Sequence, residues 1–334
     1  MDTLELLKKI IACPTASGRE REGLELYRGL LAPYTDKVFA DPFGNIKAVF
    51  GTGEILLEAH TDKIGLIVTH VYDGGFLRVA AVGGVDARVL PAEEFVVLTE
   101  NGAIPAVGVS VPPHLASDEE RKSAKKIDEA LLDAGLEAVG QVQPGDRVLY
   151  AAPVRAMANG RICAPYLDNS AGACVLILAA QYLAGQNALD GVTLCFAAQE
   201  ETGSRGASPA VFGGEYREAI VVDTSFAAAP GIKKEQSGTM GGGTMIGFSP
   251  ALDGALSRGF RALAQELGVP FSCEVMGGAT GTDADEISRA GTGVPTALLS
   301  VPIRNMHTPS EICMAEDIEN AAALIAAHII RGRV

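Results

Sequence analysis

Residues 168–201 read DNSAGACVLILAAQYLAGQNALDGVTLCFAAQEE. A helix-length apolar segment over 170–185 leads through Asn187–Gly191 into a strand-length apolar run over 192–198 that closes on paired glutamates. Such a unit is helix followed by buried strand, because the first run is too long for a strand and the second too short for a helix. Downstream the alternation continues: a strand over 219–223, a helix over 253–268, a strand near 271–276, a helix over 283–290, a strand over 295–301 and a closing helix over 315–331. Alternation of this kind predicts an α/β fold, a mainly parallel sheet with helices on both faces.

Upstream the texture changes twice. Leu4, Leu7 and Ile11 repeat at helical spacing, and Ser17 followed by Glu20 resembles a capping box before a second helix. From Lys37 to His60 short strand-type runs follow (KVFA, NIKAVF, EILLEAH). Residues 65–164 then carry many short strands (GLIVTHV, FLRVAAV, EFVVLT, DRVLYAAP) broken by turns at Asp73-Gly74-Gly75, Glu100-Asn101-Gly102 and Pro144-Gly145-Asp146. They predict an inserted small β-barrel or β-sandwich with one helix, Ser117 to Ala134. Residues 1–64 and 165–334 then form one α/β domain around the insertion.

The totals narrow the function classes. A net charge of −14, from 27 Lys and Arg against 41 Asp and Glu, opposes binding to nucleic acid or to an anionic membrane. The longest cationic cluster, Arg121 to Lys126, adjoins Asp118 to Glu120 and reads as an exposed, ion-paired helix face. Six cysteines without a C-x-x-C pair, several inside apolar runs, suit a reducing cytoplasm. The N-terminal MDTLELLKKIIACP carries charges throughout, unlike a secretory signal, and the most apolar stretch, Ala173 to Ala184, is shorter than the roughly 18 residues of a membrane span.

Four apolar runs end in metal-ligand residue types: ILLEAHTD in His60 and Asp62, VTLCFAAQEE in Glu200 and Glu201, AIVVDTS in Asp223, and TALLSVPIRNMH in His307. In open α/β sheets ligands gather beyond the carboxyl ends of the strands, so residues far apart in the chain can converge there. Asp168 stands where a helix begins; it is either a fifth member of that group or an N-cap.

The ordered motifs EAHTDKIG, LDNSAG, AAQEETGSRGA, VVDTS, GGATGTDA and VPIRNMHTPSEI resemble those of the tetrahedral aminopeptidases, which include glutamyl aminopeptidase and cellulase-M-like enzymes. IPAVGVSVPPHL and QPGDRV extend the likeness into the insertion. The resemblance implies a di-metal site in which His60 and Asp223 bind one ion, Glu201 and His307 the other, and Asp168 bridges both. It further implies Glu200 as general base, Asp62 as the partner that fixes the His60 tautomer, and a cis peptide after Asp168. Zinc or cobalt is expected, with manganese possible; short peptides are the expected substrates, and a homododecamer the expected assembly. Asp283 is a candidate partner for a substrate α-ammonium or, alternatively, a helix N-terminal carboxylate. Ser170 and the glycine-rich GTMGGGT loop at 238–244 depart from the family pattern, which leaves the preferred N-terminal residue open.

Other readings have weaker support. His70 and His328 stand outside the motifs, and His114, in a loop after two prolines, is not among the residues the resemblance assigns to metal. The glycine stretches lack the lysine of a phosphate loop and the strand-to-helix context of a dinucleotide site. No Ser occupies a G-x-S-x-G turn. A di-metal deacylase or carboxypeptidase would share the ligands but accept a blocked amine. A noncatalytic metal-binding assembly protein would need no base, and a glycosidase would survive chelation.

Overall fold

The computed structural model describes residues 2–118 and 126–333. After α1 (Thr3–Ala12) and α2 (Leu24–Leu31) come β1 (Val38–Ala40), β2 (Ile46–Phe50) and β3 (Ile55–His60). Six strands follow: β4 (Gly65–Val71), β5 (Phe76–Val82), β6 (Glu94–Thr99), β7 (Gly102–Gly108), β8 (Leu131–Asp133) and β9 (Arg147–Tyr150). The return path is β10 (Arg155–Ala156), β11 (Arg161–Ala164), α3 (Leu167–Gly185), β12 (Val192–Ala197), α4 (Ala207–Val211), β13 (Glu218–Phe226) and β14 (Thr244–Phe248). The chain closes with α5 (Gly254–Leu267), β15 (Phe271–Val275), α6 (Ala284–Arg289), β16 (Thr296–Ile303), β17 (Glu311–Met314) and α7 (Ala315–Arg331).

Eight strands make one sheet in the order β1-β2-β12-β3-β13-β16-β14-β15. Its centre, β12-β3-β13-β16, is parallel, while β1, β2 and the β14–β16 pairing are antiparallel. The central strands are buried along nearly their whole length, which is why they read as unbroken apolar runs rather than alternating ones. Helix α3 is apolar on every side because it packs on the sheet beneath α7 and α1. By length and composition alone it could cross a membrane, but most of it is buried in this core.

Strands β4 to β9 close into a barrel, which decides between the two insertion architectures predicted. The helix expected over 117–134 is not formed in its described part. Ile127–Glu129 is one 3-10 turn, and Leu131–Asp133 is β8, paired with β5 and β7. Residues 119–125 of that helix, with most of the Arg121–Lys126 cluster, lie outside the described residues. Strand β14 was not foreseen; it starts directly after the glycine run, where Asp317 accepts the Gly241 and Gly243 amides. Gly243 has φ +84°, and a Cβ there would meet the Pro270 carbonyl at 1.8 Å. The Ser17/Glu20 pair is not a capping box either: Glu20 accepts the amides of Gly18 and Gln199, pinning the N-terminal segment to the turn after β12.

Lys63, from the HTDKIG motif, is 2 % exposed and donates to the carbonyls of Ile10, Ile11 and Cys13 at the end of α1. The Ile10 carbonyl also accepts the Cys13 amide and the Cys13 carbonyl the Thr15 amide, so Lys63 adds to the backbone bonds that close this helix terminus. Burial holds the Lys63 amine down at about 8, with Cys13 opposing. Lys63→Met keeps the stem and removes all three donors, so the urea midpoint should fall by the equivalent of about 2–4 kcal/mol. An unchanged midpoint would mean that α1 is held by packing alone.

Candidate metal centre

The parallel register brings the ligand-type residues to one edge. Ala197 of β12 pairs with His60 of β3, and Val221 of β13 with Glu58, so Asp223 stands level with His60. Glu200 and Glu201 follow β12 in a tight turn entered through Gln199 at φ +58°. Asp62 secures that turn by accepting the amides of Glu200 at 2.9 Å and Glu201 at 3.2 Å. His307 follows β16 at φ +64°, with its Nδ1 3.1 Å from the Gly84 carbonyl of the barrel. A Cβ on Gly84 would come within 2.5 Å of that ring, so glycine is what lets the barrel loop touch the histidine.

Asp168 is not the N-cap. The Asp168–Asn169 peptide is cis, and both residues have non-helical backbone angles. Asn169 does the capping instead: its side chain accepts the Gly172 amide and donates to the Val222 carbonyl. The Asp168 carboxylate is thereby free to face outward from the helix, with Oδ1 3.2 Å from His60 Nε2 and Oδ2 3.3 Å from His307 Nε2. His60 Nε2 lies 3.7 Å from Asp223 Oδ1 and 3.9 Å from Glu200 Oε2, and His307 Nε2 lies 3.4 Å from Glu201 Oε1.

Three overlapping donor groups result, His60 with Asp168 and Asp223, Asp168 with Glu201 and His307, and His60 with Glu200 and Glu201, each with its donor atoms within 4.8 Å of one another; the first two share Asp168. Imidazole and carboxylate are the usual ligands of zinc and similar divalent ions. The charges also call for cations. Burial pushes the Glu200 carboxyl up to about 9, with Asp223, Asp283 and Glu201 adding to the shift and His60 opposing it. Burial likewise lifts Glu201 to about 7. For His307 burial opposes the charge, but hydrogen bonds to Asp168 and Glu201 prevail and raise the imidazole to about 11. The donor set therefore fits a pair of divalent ions sharing Asp168.

Two details depart from expectation. His60 Nδ1 is 3.4 Å from Asp62 Oδ1 without hydrogen-bond alignment, so the bond expected to fix the tautomer is not made, and the hydrogen bonds Asp62 accepts come from the glutamate turn. Asp283 is 1 % exposed and faces Glu58, which is itself fully buried, rather than the cavity. Burial and the neighbouring carboxylates lift Asp283 to about 7, with His60 and Glu58 opposing, so it is not placed to meet a substrate ammonium.

Glu311 was not foreseen. Buried under the centre, it accepts the Asp168 amide at 3.0 Å and the His307 amide at 2.6 Å, fixing two opposed ligands with one carboxylate. Its position four residues after His307 in HTPSE was the only signal in the sequence. His70 and His328 pair with Tyr72 and with Phe260 and Glu218, away from the centre. The centre opens into a cavity of about 340 Å³, room for a few residues of extended peptide but not for a folded protein.

The family model for M42 glutamyl aminopeptidase matches residues 44–324. A lysyl aminopeptidase of Pyrococcus furiosus is 32% identical over 332 residues, covering 97% of this chain and 95% of that protein. Among solved structures, a TET aminopeptidase from a marine sediment archaeon of the Thaumarchaeota superposes with a TM-score of 0.90 at 28% identity, over 98% of this chain and 96% of that one. A TET1 peptidase of Pyrococcus horikoshii, described as assembling into a tetrahedron or a large octahedral shell, gives a TM-score of 0.86 at 29% identity, over 98% and 99%.

Proposed function

Because this chain belongs to the M42 glutamyl aminopeptidase family, we propose that it removes N-terminal residues from short peptides by a two-metal mechanism with Glu200 as general base. His60 and Asp223 would hold one ion, Glu201 and His307 the other, and Asp168 both. The observation that carries this proposal is the Asp168 carboxylate, whose two oxygens each address a different histidine. When bound, such ions acidify a water and polarise the scissile carbonyl. Glu200, beside the ligands and on the cavity wall, would take a proton from the attacking water and return it to the leaving amine. Asp62 holds the Glu200 and Glu201 amides so that base and ligand point to opposite tasks from adjacent positions.

Stripping with chelator, restoring zinc, cobalt or manganese singly, and assaying amino-acid anilides with free and acetylated amines tests the proposal. Cleavage only of free-amine substrates, and only with metal, is expected. Equal cleavage of acetylated substrates would instead support a deacylase.

Metal loading should depend on pH. In the metal-free protein both imidazoles are held charged: His307 up to about 11, and His60 well above its usual value, since the surrounding carboxylates outweigh burial. A histidine pKa raised on folding contributes stability that is full below about 6.5 and is lost as pH rises through the folded value. Ligands must be neutral, so loading near pH 8 should release about one proton per histidine, measurable as buffer-dependent heat in calorimetry. Heat independent of the buffer would contradict the ligand assignment.

Glu311→Gln should weaken metal binding by about 10- to 100-fold while leaving kcat largely restored at saturating metal, as befits a residue that only positions ligands. A kcat loss that metal cannot restore would overturn that role.

We also propose self-association into a dodecameric shell in the cytoplasm. A related TET1 structure is a dodecamer, the described cysteines are all unpaired, and Phe212 stands 89% exposed beside Phe43 and Tyr216 on an apolar cleft. Apolar surface of that kind suits a protein contact. Sedimentation as a monomer would refute the shell.

A further inference from the structure

We propose that Glu274 makes this centre selective for peptides whose N-terminal side chain is a primary ammonium on an aliphatic stem, as in lysine; the inference rests on the aminopeptidase reading above. Glu274 belongs to β15, yet its carboxylate reaches across β14 into the cavity that holds the metal-ligand residues. Oε1 accepts from Ser225 Oγ at 2.5 Å and Oε2 from Ser300 Oγ at 3.3 Å. Ser300 is the register partner of Asp223, and Ser225 lies two residues beyond Asp223 on β13. The carboxylate is therefore fixed one strand away from the centre, on the cavity floor.

Among the described residues no lysine, arginine or histidine pairs with it, and its hydrogen-bond partners there are the two hydroxyls. A carboxylate has about four acceptor sites, so one on each oxygen stays available. Burial raises the Glu274 carboxyl and the Asp223 charge adds to this, so an arriving cation would relieve both. Phe226, Leu298 and Met306 line the same cavity and supply apolar walls for a methylene stem. A lysine side chain has that form, four methylenes ending in a compact charge. Arginine could take the same two free sites with its planar fork, so the arginyl substrate stands in the test as the competing cation. An acidic side chain meets the Glu274 carboxylate with like charge.

The test compares lysyl, arginyl, norleucyl and glutamyl anilides with the metal-loaded protein. Norleucine keeps the stem and lacks the ammonium, so the lysine-to-norleucine ratio of kcat/KM isolates the contribution of Glu274. We expect a ratio of about 10 to 100 in the wild type and a fall to within about threefold in Glu274→Gln. Glu274→Asp, which keeps the charge, should retain part of the preference. Calorimetric binding of free L-lysine and L-norleucine to Glu200→Gln should show the same preference without turnover.

A ratio near one in the wild type, or a preference for the glutamyl anilide, would overturn the inference. So would an equal loss on all four substrates in Glu274→Gln, since that would place Glu274 at the α-amine they share. If no anilide were cleaved but lysine still bound in preference to norleucine, the aminopeptidase reading would fail and the lysine site would stand.

Discussion

Glu200→Gln is expected to keep both metals, measured by elemental analysis, and to lower kcat by about 10²–10⁴-fold with little change in KM. Glutamine preserves the shape of the side chain and its contact with Ser204 Oγ, but it cannot carry a proton. The loss should fall on the chemical step if Glu200 is base and not ligand: its oxygen is 3.9 Å from His60 Nε2, against 3.7 Å for Asp223 and 3.2 Å for Asp168. Glu201→Gln makes the contrasting case. Its oxygen lies 3.4 Å from His307 Nε2, so that variant should lose metal first and activity as a consequence. Two adjacent glutamates with separable phenotypes, one in turnover and one in metal content, are what a catalytic centre requires and a metal-storing one does not. Activity within tenfold of wild type in Glu200→Gln would remove it from the role of base.

The parts of this molecule that were legible in the sequence are those with short-range rules. Strands β3, β12, β13 and β16 are buried on both faces, so their apolar runs announce a covered parallel sheet, and the charged residue that ends each run marks the open edge. Asp168 was ambiguous locally because a carboxylate before a helix commonly caps it; that Asn169 takes the cap instead depends on Val222, 53 residues away.

Where pairing partners are distant the sequence misled. DEALLDAGLEAV favours helix by intrinsic propensity, yet Leu131–Asp133 is held between β5 and β7, and barrel closure overrides the local preference. Strand β14 hides behind a glycine run that Asp317, more than 70 residues on, turns into a defined entry to the sheet. Glu274 is one residue of a five-residue edge strand, and its place in the cavity comes from hydroxyls on two other strands. Glu311 and the Glu58–Asp283 pair are buried charges, and no spacing rule says which buried carboxyl faces an amide and which faces another carboxyl.

Asp168→Asn should have the largest effect on the centre as a whole, since it alters the one group common to the His60–Asp223 and Glu201–His307 donor sets. In the wild type each oxygen of Asp168 serves a different histidine side, and the side chain is 7 % exposed. Asparagine keeps one acceptor oxygen and replaces the other with a donor, so one ion loses a ligand outright, and the remaining negative charge is shared less well between two cations. We expect bound metal to fall from two ions per chain to one or fewer, and kcat/KM to fall by at least about 10³-fold without recovery at high metal concentration. The outcome also separates a ligand from its support: Glu311→Gln displaces Asp168 slightly and should be rescued by metal, whereas Asp168→Asn changes the donor itself and should not. Folding is a weak confounder, because the cap of α3 belongs to Asn169, so far-ultraviolet circular dichroism should match the wild type. A variant that still bound two ions with unchanged affinity would show that the two histidine sides are independent sites, and a mechanism that needs a shared carboxylate would fall with it.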